Sequence, residues 1–73
     1  MEANQLKNLK KIIEFQEWCR QTHVNWVEHY KTYPGAQYTT VGKAIGDKAF
    51  HEKCVEGYNL SLNFLRGLEK EDE

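Results

Sequence analysis

Two pairs of potential metal ligands stand at helical spacing in this sequence. Cys19 and His23 are four residues apart, and His51 and Cys54 are three apart, so each pair shares one face of a helix. If the two helices pack antiparallel, the four side chains lie at one level and form a candidate Cys2His2 zinc site. The alternatives are a disulfide between the cysteines, or cysteines that are small buried hydrophobes beside histidines that are hydrogen-bonded or half exposed. We expect the last of these and predict no metal and no cofactor.

Cys19 and His23 also have the composition of a nucleophile and its base. Catalysis of that kind needs a third group to orient the base and donors for an oxyanion. Neither is recognisable near this pair in the sequence. We therefore predict that the protein is not an enzyme and that it works by binding.

A second candidate site lies between His29 and Gly46, in HYKTYPGAQYTTVGKAIG, which holds three of the four tyrosines and no carboxylate. Lysines, hydroxyl groups and the backbone N–H groups of a helix start all favour an anion such as phosphate. Pro34, Gly35 and one threonine are explained without a ligand, because they build a turn and cap the next helix. The candidate ligand-binding residues are Lys31, Tyr33, Tyr38, Thr39, Thr40 and Lys43.

The elements that must position these residues are two long amphipathic helices. At 100° per residue, most apolar residues of the first segment fall in one arc of about 120°, which predicts a helix over about residues 3–30. Pro34 and Gly35 end this helix, so residues 31–39 are predicted to form a turn. The predicted inner face carries Leu9, Ile12, Ile13, Gln16, Cys19, His23, Val27 and Tyr30.

A second helix is predicted over about residues 40–69, with Thr39 or Thr40 as its N-cap. Its apolar residues keep a three-and-four spacing across Gly57 without a change of phase, so we predict one continuous helix. Gly46 and Gly57 are the two positions at which it would break, since each glycine costs about 1 kcal/mol relative to alanine. The predicted apolar stripe comprises Phe50, Cys54, Gly57, Ser61, Phe64, Leu65 and Leu68.

The two helices are predicted to pack as an antiparallel hairpin. Because both rise equally per residue, a turn near Ala36 brings together positions whose numbers sum to about 73. His23 then lies beside His51, and Cys19 lies opposite Cys54. The sequence therefore predicts an all-α protein made of one hairpin.

The hairpin domain is predicted over residues 1–68, followed by an acidic tail over residues 69–73. So small a chain buries only roughly 60% of its unfolded surface, and a pair of helices covers only one side of each member. We therefore predict completion by oligomerisation, as a four-helix-bundle-like dimer or a higher assembly. Trp18, at the margin of the polar face, is the main interface candidate because tryptophan is enriched at interfaces. The candidate protein-interface residues are Phe15, Trp18, Trp26, Gly46 and Leu62.

Charge and hydropathy limit the classes of partner. The formal net charge of -1 supplies little attraction for phosphate backbones, so nucleic acid is not an expected partner. No segment approaches the roughly 20 apolar residues of a membrane span, and the N-terminus lacks the apolar run of a signal peptide. We expect a cytoplasmic protein that does not use a membrane.

The predicted function is a small non-enzymatic helical binding protein that acts stoichiometrically as an adaptor or inhibitor of another protein. The analogy is with small inhibitors such as those that phages carry. The alternative is an oligomeric protein that sequesters an anionic metabolite or nucleotide at the turn. The two functions need different residues, since the first depends on Trp18 and the second on Lys31 and Lys43.

Overall fold

The computed structural model describes residues 1–72, and this part of the chain is all-helical. Helix α1 spans Ala3–Thr32, a 3-10 turn spans Pro34–Tyr38, helix α2 spans Thr40–Ile45 and helix α3 spans Lys48–Glu71. The long helices α1 and α3 lie side by side. The amino group of Met1, just before α1, lies 2.9 Å from Oδ1 of Asp72, just after α3. The predicted helical hairpin is therefore confirmed.

Helix α1 has clear signals at both ends. At its start, the Glu2 backbone N–H donates to Oε1 of Gln5 at 3.0 Å, which forms one half of a capping box. At its end, the Tyr33 N–H donates to the His29 carbonyl at 2.8 Å, just before Pro34. Because proline disfavours helical geometry at the residue before it, the helix stops there, two residues later than the predicted residue 30.

The second helical segment is interrupted at Gly46 and Asp47. Gly46 has a φ of +115° and ends α2, while the Asp47 carboxylate accepts a hydrogen bond from the Phe50 N–H at 2.8 Å and begins α3. The prediction of one continuous helix over residues 40–69 is therefore wrong. A glycine outside helical geometry followed by an N-capping aspartate places a helix end and a helix start back to back. Helix α3 then continues through Gly57 without a break.

The turn between the long helices is held by its own side chains. The Thr39 hydroxyl accepts from the Gly42 N–H at 3.1 Å and donates to the Ala36 carbonyl at 2.8 Å, so Thr39 is the N-cap of α2. The Gln37 side chain accepts from the Lys48 N–H at 3.1 Å, which ties the 3-10 turn to the start of α3. Gly42 is packed so closely that a Cβ there would collide with the Ala36 carbonyl oxygen. These contacts make the turn a fixed structure.

The seam between α1 and α3 has two chemically different halves. Three buried aliphatic residues fill the half that contains the N-terminal part of α1, and three further leucines pack against them. Rings fill the half that lies nearer the turn. We call the first set the aliphatic half: Leu6, Leu9, Ile13, Leu62, Leu65 and Leu68. We call the second set the aromatic half: His23, Trp26, Tyr30 and His51, with the half-exposed Phe50 at its edge.

Helix α3 presents a different stripe to α1 than its spacing predicted. His51 and Leu62 are buried, whereas Phe50 and Phe64, which were predicted on the inner face, are 49% and 67% exposed. The apolar arc of α3 is wider than a single neighbouring helix can cover, so α1 packs against one edge of it. Leu62, predicted at a protein interface, is 2% exposed inside the aliphatic half, and that prediction is wrong.

The predicted acidic tail begins as helix. Helix α3 extends through Glu71, so residues 69–71 continue the hairpin rather than leaving it. Asp72 caps the end of α3 through its backbone and pairs with the amino group of Met1. Glu73, the last residue of the predicted tail, lies outside the described residues.

Candidate functional site

The four candidate zinc ligands come together only in part. The Nδ1 atoms of His23 and His51 are 2.7 Å apart, which is a hydrogen-bond distance. Two nitrogens bound to one tetrahedral zinc ion, each about 2.0–2.1 Å from the metal, would be farther apart than this. Cys19 and Cys54 are free thiols that lie beside the Tyr58 hydroxyl. Within residues 1–72, no three His, Cys, Asp or Glu side chains are close enough together to hold a metal ion. His23 and His51 instead belong to the seam, and Cys19 and Cys54 are half-buried beside it.

His51 is the centre of the aromatic half. Its side chain is 1% exposed, and first its burial and then the neighbouring His23 lower its pKa from the ordinary value of 6.5. The imidazole is therefore neutral at pH 7. One proton lies between the two Nδ1 atoms, so one histidine donates and the other accepts. The rings around His51 have centroids 5.0 Å away for His23, 5.2 Å for Phe50, 5.8 Å for Trp26 and 6.0 Å for Tyr30.

Three buried polar atoms of the seam have no hydrogen-bond partner in the described part of the chain. They are Oε1 of Gln16, the hydroxyl oxygen of Tyr30 and Nε2 of His51. An unsatisfied buried polar group costs about 1–3 kcal/mol. Because two of the three belong to the aromatic half, that half contributes less stability for its size than the aliphatic half.

The predicted anion-binding residues are partly occupied by local contacts. Nζ of Lys31 lies 3.3 Å from Oε1 of Glu28, and the Thr39 hydroxyl is used in the cap of α2. Tyr33 and Tyr38 are exposed at the two ends of the 3-10 turn. The remaining two candidates, Thr40 and Lys43, are exposed on α2.

The predicted interface residues fall into different environments. Phe15 and Trp18 are 63% and 66% exposed, and their rings are stacked with centroids 6.3 Å apart. We call this pair the aromatic shoulder. Trp26 is half-buried, and its ring is stacked on His51 with centroids 5.8 Å apart. Gly46 has a structural role, because a Cβ at this position would collide with the Phe50 ring.

One side of the hairpin, which we call the charged face, is crossed by ion pairs and hydrogen bonds. Nη2 of Arg66 lies 2.6 Å from Oε1 of Glu17, and Nε of Arg20 donates to Oδ1 of Asn59. Two adjoining grooves run along this side, with Asn59 shared between them. The charged residues that line these grooves are Glu17, Arg20, Glu28, Glu52, Glu56 and Arg66.

The opposite side of the hairpin, which we call the apolar face, has a groove with no charged lining residue. The groove is lined by Gln16 of α1 and by Cys54, Gly57, Tyr58 and Ser61 of α3. Helical spacing places further apolar residues of both helices on the same side. The apolar face comprises Ile12, Cys19, Phe50, Cys54, Gly57, Ser61, Phe64, Leu65 and Leu68, with Phe15 at its border with the aromatic shoulder.

Most residues of the apolar face belong to the apolar stripes predicted from the sequence, but they lie in a different place from the predicted one. The stripe on α3 was identified from its three-and-four spacing and was predicted to pack on α1. In the structure, much of it is the outer surface. Tyr58 was not identified as a site residue, although a hydrogen bond with Cys19 and then burial raise the pKa of its hydroxyl group. Its signal was its position between Cys54 and Leu62, one helical turn from each.

Comparison with protein-family models, with curated protein sequences and with solved structures returned no significant match. Over residues 1–72, no helix combines the length and the apolar character needed to cross a bilayer. The class of protein is therefore defined by its fold and its surfaces: it is a small all-helical hairpin protein with one charged face and one apolar face.

Proposed function

We propose that this protein is a non-enzymatic binding module that acts stoichiometrically on another protein, as an adaptor or an inhibitor. The observation that supports the proposal is the aromatic shoulder, in which two large rings are stacked and about two-thirds exposed. Stacking restricts the rotamers of both rings, so less conformational entropy remains to be lost when a partner covers them. Exposed, preorganised aromatic side chains are the typical anchors of protein interfaces.

The proposal includes oligomerisation of the hairpin. Ten large hydrophobic residues of the described chain are exposed, twice as many as the five that are buried. Each fully buried side chain contributes about 1.5–3 kcal/mol, so five give a small core from which to offset the chain entropy of the hairpin. Burial of further apolar surface between copies would add the missing stability. The five buried hydrophobic residues are Leu9, Ile13, Val27, Tyr30 and Leu62.

We place the binding partner in the cytoplasm. Free thiols persist in a reducing compartment, and Cys19 and Cys54 are both free. The alternative function, capture of an anionic metabolite or nucleotide by the turn, has less support. The Lys31 ammonium group is already paired with Glu28, and the Thr39 hydroxyl already caps α2.

Affinity purification of the tagged chain from its source cells, followed by quantitative mass spectrometry, tests the protein-binding proposal. The test variant is Trp18→Ala, and the matched control is Leu60→Ala, because Leu60 is an equally exposed apolar residue on the other long helix. We expect one protein to be recovered in equimolar amount with the wild-type chain and with Leu60→Ala. Its recovery with Trp18→Ala is expected to fall roughly tenfold or more, as for an interface anchor.

Two results would overturn this proposal. The first is that no protein is recovered in an amount comparable to the bait. The second is that both variants recover the same protein equally well. The far-UV circular dichroism of each variant is recorded alongside, so that unfolding is not mistaken for loss of a contact.

A further inference from the structure

We propose that the apolar face is the contact surface between two copies of this chain, which pack face to face about a two-fold axis as a four-helix bundle. This inference rests on the oligomeric function proposed above. It adds the surface, the occupant and the symmetry of the contact.

The shape of the hairpin leaves the apolar face uncovered. The Cα atoms extend over 48 × 16 × 14 Å, which is one layer of two helices lying side by side. Each long helix of residues 1–72 therefore has one long neighbour, and no third long helix packs on the broad face parallel to their common plane. A second layer of the same length would cover the apolar face completely, at the usual helix separation of about 8–10 Å.

The distribution of charge selects a second copy as the occupant. In a two-fold contact, residues near the axis lie against their own copies. Apposing two charged faces would bring Glu28, Glu52 and Glu56 close to a second set of the same glutamates. Apposing two apolar faces brings no charged side chain of the groove near another. A two-fold axis at the apolar groove therefore meets no charge repulsion from the groove, whereas an axis at the groove lined by the three glutamates is opposed by it.

The shape of the apolar face is also complementary to that of a second copy. Gly57 lies at its middle, and nothing is within 4 Å of the position that a Cβ would take there. The exposed rings of Phe50 and Phe64 stand seven residues before and after it, so all three share one side of α3. A two-fold axis at Gly57 makes the two α3 helices antiparallel. It lets their backbones approach closely at the glycines and pairs Phe50 of each copy with Phe64 of the other.

The area available is close to what a stable dimer needs. Ile12, Phe15, Phe50 and Phe64 are 47% to 67% exposed. If large side chains of this kind bury roughly 150–250 Å² each, these four still offer about 400 Å² per copy. With the half-buried Cys54, Tyr58, Ser61, Leu65 and Leu68 added, the face reaches on the order of 600–800 Å² per copy, near the ~800 Å² per partner of a standard interface.

Sedimentation equilibrium of three proteins tests the proposal: the wild-type chain, Gly57→Glu and Gly67→Glu. Both glycines lie inside α3, both have open space where a Cβ would stand, and both changes add one negative charge. Each change also raises helix propensity by about 0.5–1 kcal/mol, so neither variant loses helix for local reasons. They differ in position, because Gly57 lines the groove, whereas Gly67 lies about 15 Å further along α3 and is rotated by about 80° away from Gly57.

We expect dimers of the wild-type chain and of Gly67→Glu, and a dimer at least about tenfold weaker for Gly57→Glu, with a helical circular dichroism spectrum in all three. Dimers of equal strength in all three proteins would overturn the assignment of the surface and leave the oligomeric function standing. Monomers in all three would overturn the oligomeric part of the proposed function itself.

A measurement on the unaltered chain decides the case in which Gly57→Glu does not fold. The Cys54 thiol lines the groove, so its alkylation by iodoacetamide reports whether the apolar face is covered. We expect the rate of alkylation, followed by peptide mass spectrometry, to fall as the protein concentration rises. A rate that is independent of concentration, in a sample that sediments as a dimer, would place the contact elsewhere and overturn the proposal.

Discussion

The two halves of the α1–α3 seam hold the same pair of helices together by different means. In the aliphatic half, Leu9, Ile13 and Leu62 close on one another and stabilise the hairpin by removing apolar surface from water. In the aromatic half, His51 is buried among rings and shares one proton with His23 across 2.7 Å. The first contact is non-directional, whereas the second requires two nitrogen atoms at one place.

This difference separates stability from specificity. A shift of α3 by one helical turn would exchange one leucine for another in the aliphatic half at moderate cost. The same shift would separate His23 from His51 and leave a buried imidazole with neither nitrogen paired. The aliphatic half therefore supplies most of the stability, and the aromatic half selects one register.

The largest effect is expected when the aliphatic half is broken. Leu62→Ala removes the most buried aliphatic side chain and leaves a cavity, so the free energy of unfolding should fall by about 2–4 kcal/mol. Urea denaturation followed by circular dichroism measures this, at one fixed protein concentration because association contributes to stability. Leu60→Ala, at an exposed position, should change stability by less than about 0.5 kcal/mol. Equal losses in the two variants would show that Leu62 is not in a core.

The next effect concerns the helix break that positions the aromatic half. Gly46→Ala forces a side chain into a backbone with φ of +115° and against the Phe50 ring, so we expect a loss of about 1–2 kcal/mol. The control is Gly67→Ala, in an exposed helix interior, which should gain about 0.5–1 kcal/mol. If Gly46→Ala is also stabilising, α2 and α3 form one continuous helix in solution.

The third prediction uses pH to separate the two halves. The pKa of His51 is lowered on folding, because burial and then His23 oppose its charge, so the unfolded chain binds more protons below pH 6.5. Stability should be constant above that value, fall as the pH drops through it, and level off below the folded pKa. Urea midpoints measured from about pH 7.5 to about pH 5 test this.

Two variants assign that pH dependence to one half of the seam. His51→Phe keeps a buried ring without a titrating group, so its stability should depend less on pH over the same interval. Leu62→Ala should be less stable at every pH but keep the wild-type dependence. A pH dependence unchanged by His51→Phe would mean that His51 does not titrate differently on folding.

The smallest effect is expected outside the seam, on the charged face. Glu17→Gln removes the ion pair with Arg66, in which both side chains are about half exposed, so the loss should be under about 1 kcal/mol. High salt should abolish the difference from wild type. Glu14→Gln, at an exposed position in the same helix, is the matched control. A larger, salt-independent loss at Glu17 would mean that this pair is shielded from solvent.

Much of the hairpin could be predicted from local patterns. The arc of α1 placed Leu9, Ile13, Val27 and Tyr30 inward, and all four are buried. Thr39 caps α2, and His23 contacts both Phe50 and His51, as the predicted register required. These predictions succeeded because one apolar arc and one short turn leave few ways to pack two helices.

The break at Gly46 and the face that α3 turns to α1 were harder to predict. Gly46 followed by Asp47 is a readable stop and start signal, but the unbroken apolar spacing outweighed it. That spacing described a wide arc, and periodicity does not say which edge of an arc meets the neighbouring helix. The polar contact at His51 and the volume of Leu62 decided the edge.

The amino-acid sequence by itself determined two long helices, a turn at Pro34 and the side of α1 that is buried, because propensity, capping and periodicity act between near neighbours. Only the tertiary structure decided that His51 and Leu62 lie inside and that Phe50 and Phe64 lie outside. The physical reason is that the rotation of α3 about its own axis depends on how the side chains of two helices fill one shared space. That quantity belongs to the packed pair and to neither helix alone.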